Sequence, residues 1–334
     1  MKKKNTLIIA EAGVNHNGSL KKALKLIDYA KIAGADIVKF QTFNPDNLLI
    51  PSAKKAPYQK NKNKNETQYQ MLKKLSLNFN FYKILSAYSK KKKIEFLSTA
   101  FDIKNLKMLI KLGIKRIKIP SGEITNILLL EFAAKQKLPI ILSTGMSNLN
   151  EIKKAIKILT KFGKKKTQIT ILHCTSVYPA PFNELNLKAI KTMKKQLGVS
   201  VGYSDHTLGT EASIAAVALG AKIIEKHFTI SKKMNGPDHK ASLDPKELHL
   251  MISSIRNLEK SFGNGIKKVT KSEILNRRIF RRSLVALTNI NTGDLLTFKN
   301  IGMKRPGTGV SPINIHKYLG KKSSKNFKKN KLIT

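Results

Sequence analysis

Lys39 and Lys118 each sit inside a short apolar, β-rich run, where a lysine has no solvated surface role. An ammonium group in such a place has an anion to meet. With the hydroxyls of Thr99, Ser121 and Ser204, the two lysines form a set suited to a phosphate or a carboxylate, which needs charge neutralisation and several donors. His206 and His227 end two further runs. Two neutral imidazoles from adjacent strands can bind one divalent ion and leave positions open for water and substrate. They are equally compatible with one histidine ordering a loop and the other packing in a core. Asp205 and Glu225 lie beside them as groups able to orient the rings. His173 and Cys174 suggest a thiol nucleophile, but an inward strand cysteine is more simply core.

These side chains need a scaffold that brings distant segments to one place. Strands are expected at Leu7–Ala10, Ile37–Phe40, Ile94–Ser98, Arg116–Ile119, Ile140–Ser143, Ile169–His173, Val199–Tyr203 and Ile223–Phe228. Between them lie amphipathic stretches at Leu20–Ala33, Phe81–Lys92, Lys104–Leu112, Glu151–Phe162 and Thr210–Leu219. On the first, Leu24, Ile27, Ala30 and Ile32 recur at helical spacing. Eight strand–helix alternations over about 250 residues have the size of a (β/α)8 TIM barrel. An open doubly wound sheet is the alternative, but no Gly-x-Gly-x-x-Gly turn follows the first strand. In a barrel, the polar residues that recur at the strand ends would meet at the C-terminal rim, where barrel active sites lie.

Residues 1–261 are therefore expected to form the barrel, 262–280 a linker, and 281–334 a small appended domain. In the last, Leu284–Leu287 and Leu295–Phe298 read as strands. Asn44–Thr67 is polar, broken by Pro45, Pro51 and Pro57, and reads as a long loop over the rim. Its crowded Asn61, Asn63 and Asn65 permit no single assignment.

Composition excludes several classes. A chain of 334 residues that is 41% hydrophobic can bury a core and is not intrinsically disordered. It has no uncharged apolar stretch of about 18 residues to span a membrane. A single cysteine gives no internal disulfide, and no apolar leader is visible, so a cytoplasmic protein is expected. The formal charge of +44 invites a nucleic-acid reading. Against it, the basic residues are 57 Lys to 7 Arg, and every fifty-residue block carries 6 to 12 of them without a concentrated arm. Base and phosphate recognition favours the arginine fork, so neither a nucleic-acid nor a membrane partner is expected.

Eight blocks in order carry a resemblance. They are Glu11–Gly18, Lys39–Thr42, Lys118–Glu123, Leu142–Met146, Leu172–Thr175, Tyr203–Thr207, Glu225–Thr229 and Gly236–Leu243. Together they resemble the bacterial sialic acid synthase (N-acetylneuraminate synthase) family along essentially the whole chain. Lys304-Arg305-Pro306-Gly307 looks like that family's antifreeze-like (SAF) domain.

The resemblance implies a TIM barrel followed by a SAF domain, and condensation of phosphoenolpyruvate with N-acetylmannosamine to give N-acetylneuraminate and phosphate. Legionaminic and pseudaminic acid synthases are the related alternatives. It also implies that Lys39, Thr99, Lys118, Ser121, Ser176 and Ser204 hold phosphoenolpyruvate; some members carry Asn where this chain has Ser176. Glu11, Gln41, Tyr178, Asp238 and Arg305 would face the sugar. His206 and His227 would bind Mn²⁺ or Mg²⁺, and Glu11, Glu123 and Lys118 would be catalytic, with Glu123 handling a proton. The expected assembly is a domain-swapped homodimer in which Arg305 reaches the sugar of the partner subunit.

Overall fold

The computed structural model describes residues 5–59 and 66–334. Asn61, Asn63 and Asn65 lie outside the described residues. Eight parallel strands close into a barrel in chain order: β1 (Leu7–Gly13), β2 (Ile37–Thr42), β3 (Glu95–Ala100), β4 (Ile117–Ile119), β5 (Ile140–Ser143), β6 (Ile169–His173), β7 (Ser200–Asp205) and β8 (Ile223–His227). β8 pairs with β1 to complete the ring. The expected TIM barrel is the fold.

Helices surround it because their sequences bury one stripe. In Leu20–Ala33, Ser19 caps the first turn by accepting from the Lys22 N–H, and Gly34 ends the helix in the left-handed conformation at φ +90°. Ala23, Leu26, Ile27, Ala30 and Ala33 face the sheet, whereas Ile32 is exposed, contrary to its place in the expected stripe. Ile127–Lys135 and Ala189–Leu197 are the helices that follow β4 and β6 in the eight alternations. Ile127–Lys135 is apolar at nearly every position, which leaves little amphipathic period to read.

Side-chain alternation inside the barrel sets the height of the functional groups carried by the strands. Ile9, Ile37, Leu97, Ile141, Leu172 and Ile223 form one apolar interior layer. Two residues further along each strand stand Glu11, Lys39, Thr99, Ser143, Cys174 and Glu225. At that height the interior changes from aliphatic to polar. On β7, Gly202 occupies the apolar layer because a Cβ there would approach Leu172 Cδ2 and the Ile223 carbonyl within 2.6 Å. Burying such aliphatic side chains stabilises the fold by about 1.5–3 kcal/mol each, which supports the charged layer above them.

Within the segment expected as a loop over the rim, Pro45–Leu48 is a short helix and Pro57–Gln59 a 3₁₀ turn. Residues 263–334 form a separate compact unit. There β9 (Ser283–Ala286) pairs antiparallel with β10 (Ile301–Lys304), over a core of Leu284, Ala286, Ile290, Leu296, Ile301, Ile315 and Ile333. Two expectations need correction. Leu295–Phe298 is not a strand: Leu295 makes only an isolated bridge to Lys322, and Phe298 is exposed. The segment 262–280, expected as linker, contains the helix Lys271–Phe280, started by a capping box between Thr270 and Glu273. Among the described residues no helix is long and apolar enough to cross a membrane.

Candidate active site

Four buried charges alternate in sign across the barrel mouth. Lys39 Nζ lies 2.7 Å from Glu11 Oε2 and 3.5 Å from Glu225 Oε2, while Lys118 Nζ lies 3.5 Å from Glu225 Oε1. Register brings them together, since Glu11 is paired with Lys39 across β1–β2 and Ser204 with Glu225 across β7–β8. Lys39 also donates to Thr99 Oγ1 at 2.9 Å, and Lys118 to Ser143 Oγ at 2.6 Å. Ser204 Oγ donates to Glu225 Oε1 at 3.0 Å.

The electrostatics follow from this arrangement. Burial raises the Glu11 carboxyl to about 7; Lys39 opposes the rise and Glu225 adds to it. Glu225 is also buried, but Lys118 and Lys39 outweigh the burial and hold it near 2. Burial pulls Lys118 down, whereas the two carboxylates overcome burial at Lys39 and push it up. The Glu11–Lys39 contact is an ion pair off the hydrogen-bonding axis, and Glu11 Oε2 has no hydrogen-bond partner. Glu225 joins both lysines and Ser204. In the sequence Glu225 stands out as a neighbour of His227; its position between the lysines depends on barrel closure.

Next to this cluster is a cradle of small groups. Ser121 Oγ accepts from the Gly145 N–H at 2.9 Å and lies 3.4 Å from Cys174 Sγ. A Cβ on Gly145 would stand 2.0 Å from Ser176 Oγ, so only glycine permits this approach. Cys174 is buried and free, with burial raising its thiol, which fits a packing role rather than a thiolate nucleophile. The His173 ring nitrogen Nε2 is engaged by the Leu185 carbonyl at 2.7 Å.

The two histidine rings lie with centroids 5.7 Å apart. His206 Nδ1 is 2.6 Å from the Thr175 carbonyl, which fixes the proton on that nitrogen and leaves Nε2 as the electron-pair donor. His227 Nδ1 is buried without a hydrogen bond, and its nearest acid is Asp238 Oδ2 at 3.9 Å. Burial keeps both rings neutral, His206 down at about 4 and His227 well below the usual histidine range. Among the described residues no group of three or more His, Cys, Asp and Glu is arranged as a metal cage. Two neutral imidazoles, His206 oriented through its Nδ1–H by the Thr175 carbonyl and His227 with an unpartnered Nδ1, nevertheless fit a divalent ion that takes its other ligands from water or substrate.

Above the histidines, Tyr178 lies over His206 at 4.1 Å between centroids and meets His227 edge-on at 5.6 Å. Tyr58 continues the stack at 4.8 Å from Tyr178, a neighbour that the sequence did not reveal. Gln41 Nε2 donates to Glu11 Oε1 at 3.2 Å, and buried Asp238 has its carboxyl raised to about 6 by burial. Glu123 ends a 3₁₀ turn, half-buried, and accepts from Asn126 Nδ2 at 2.6 Å. Arg305 belongs to the C-terminal unit, where its guanidinium lies 4.9 Å over the Phe280 ring and its Nε donates to the Phe280 carbonyl.

Comparison with known proteins agrees in extent with this architecture. The NeuB family model matches residues 26–267 and the SAF domain model residues 281–334. The N,N'-diacetyllegionaminic acid synthase of Campylobacter jejuni is 53% identical over 331 residues, 99% of both chains. That of Legionella pneumophila is 45% identical, over 96% of this chain and 91% of the relative. The crystal structure of an N-acetylneuraminic acid synthetase from Leptospira borgpetersenii, in complex with citrate, superposes with a TM-score of 0.72. It is 37% identical and covers 82% of this chain and 90% of that one.

Proposed function

The chain belongs to the NeuB family of sialic-acid-type synthases and carries a SAF domain, and we propose that it condenses phosphoenolpyruvate with 2,4-diacetamido-2,4,6-trideoxymannose to give N,N'-diacetyllegionaminic acid and phosphate. The observation that carries the choice of sugar is the 53% identity to the Campylobacter jejuni synthase over 99% of both chains. It supports the legionaminic reading over the N-acetylmannosamine reading expected from the sequence.

In this reaction C3 of phosphoenolpyruvate bonds to the aldehyde carbon of the open-chain sugar. A water oxygen adds to C2, and phosphate leaves by breaking the C2–O bond. Lys39, Lys118, Thr99, Ser121, Ser176 and Ser204 would hold the phosphoenolpyruvate anion. Positive charge developing at C2 is stabilised by a carboxylate held in a low-dielectric site, a role for Glu11. With its proton affinity near neutrality, Glu11 can also hold or release a proton at working pH. Glu123 remains the candidate for the proton of the incoming water. Gln41, Tyr178 and Asp238 would contact the sugar. Mn²⁺ or Mg²⁺ held by His206 and His227 would draw electron density from the aldehyde oxygen.

The deciding experiment measures phosphate release from phosphoenolpyruvate with each candidate hexose, followed by product mass. Turnover confined to N-acetylmannosamine would overturn the choice of sugar. No release with any acetamido sugar would overturn the condensation itself.

A further inference from the structure

Behind the two histidines, on the outer side of the sheet, lies an ion pair with no access to solvent. Lys226 Nζ is 3.0 Å from Asp205 Oδ2, both side chains at 0% exposure. The two residues are direct register partners across β7–β8. Each is the chain neighbour of a candidate metal ligand, Asp205 of His206 and Lys226 of His227. Their neighbours Ser204 and Glu225 point into the barrel, so strand alternation turns the pair outward, toward the helix Glu211–Ala218.

The pair is fully engaged. Asp205 Oδ1 accepts from the Thr207 N–H at 2.9 Å and from Thr207 Oγ1 at 2.8 Å, and Oδ2 accepts from Ser213 Oγ at 2.6 Å. Lys226 Nζ donates to the Thr207 carbonyl at 2.7 Å. The turn Asp205–Thr207, with His206 at its centre, is thus tied to the strand position immediately before His227.

A buried ion pair is a poor source of net stability, because desolvation of both charges offsets their attraction and a well-packed neutral pair often does as well. Here the charges instead fix the end of one strand relative to the next. We infer that the Lys226–Asp205 pair, clamped on Thr207, is a positioning device that sets the separation and orientation of His206 and His227 for a divalent ion. This rests on the reading that those histidines hold the ion.

The test uses the full-length protein stripped of metal and titrated with Mn²⁺ alone, followed by electron paramagnetic resonance and calorimetry. In the double variant Asp205→Asn/Lys226→Met, the unfolding midpoint should stay within a few degrees of wild type while Mn²⁺ binds about 10–100-fold more weakly, the usual cost of losing groups that orient a metal-binding histidine. Thr207→Val keeps both charges and removes one arm of the clamp. It should bind Mn²⁺ several-fold more weakly, and it decides the matter if the double variant fails to fold. Folded variants that bind Mn²⁺ as tightly as wild type would overturn the positioning role while leaving the histidine reading intact. Binding in His206→Ala equal to wild type would overturn the histidine reading and the positioning role together.

Discussion

Lys39 Nζ and Glu11 Oε2 meet at 2.7 Å with both side chains almost fully buried. The lysine expected to meet an anionic substrate is already engaged by a carboxylate, and Glu225 shares it. An arriving phosphate or carboxylate must compete with Glu11 for the ammonium. Protonating Glu11 removes that competition, and its affinity near 7 puts the exchange within the working range.

The sign of the resulting pH dependence is fixed. Below about pH 7 Glu11 is neutral and Lys39 is available; above it, the added negative charge opposes anion binding. The KM for phosphoenolpyruvate should therefore rise with pH above 7, by up to tenfold per unit for one proton. Glu11→Gln should flatten this rise and lower kcat about 10²–10⁴-fold, as expected for loss of an acid–base group. Initial rates between pH 6 and 9 check it against the variant, so that titration of phosphoenolpyruvate itself cancels. Parallel profiles would show that another group titrates.

Lys118 donates to Ser143 Oγ at 2.6 Å and lies 3.5 Å from Glu225 Oε1. Lys118→Met removes one ammonium and leaves Glu225 with Lys39 alone. A hydrogen bond to a charged group contributes about 1.5–3 kcal/mol. The KM for phosphoenolpyruvate should rise about 10–100-fold while that for the neutral sugar changes by less than threefold. Steady-state kinetics with each substrate varied in turn separates the two, and an effect confined to the sugar would place Lys118 elsewhere.

Gly145→Ala sets a methyl 2.0 Å from Ser176 Oγ and 3.1 Å from Ser121 Oγ. Ser176 can rotate away, so the fold should survive with a loss of about 1–3 kcal/mol, as for overpacking. The cradle would then be filled and its hydroxyls displaced. Calorimetry should show a modest drop in unfolding temperature, accompanied by a much larger loss of kcat/KM for phosphoenolpyruvate. Near-wild-type kinetics would remove the cradle from the substrate site.

The eight strands were legible because each is a short apolar run, and alternation along them correctly sends Lys39, Thr99 and Ser204 inward. What the sequence did not display is pairing between strands. Glu225 becomes the partner of both lysines only when β8 closes against β7 and β1, and Lys226 meets Asp205 only through their register. Tyr58 was hidden for another reason: it stacks on Tyr178 from a polar, proline-broken segment with no periodicity to place it. Leu295–Phe298 carries β-prone residues but makes one isolated bridge, an instance of tertiary context overriding local propensity.

Within its own unit the Arg305 side chain is held by the Phe280 ring and carbonyl, which gives its fork of donors a fixed direction. The helix before it, Lys271–Phe280, buries none of its residues, and Ile274, Leu275, Ile279 and Phe280 are each roughly half exposed or more. Four large apolar side chains exposed on one ten-residue helix give a surface that a second copy of the chain can cover. We propose a homodimer in which Arg305 completes the rim of the other subunit's barrel and contacts the sugar. Arg305→Ala should then raise the KM for the sugar about tenfold or more and leave that for phosphoenolpyruvate little changed. Mixing Arg305→Ala with His206→Ala protein should restore activity, because half of the sites in a mixed dimer carry both intact residues. Subunit exchange is verified separately by pulling down one tag and detecting the other. With exchange demonstrated and no activity regained, Arg305 would act within its own chain or outside the reaction altogether.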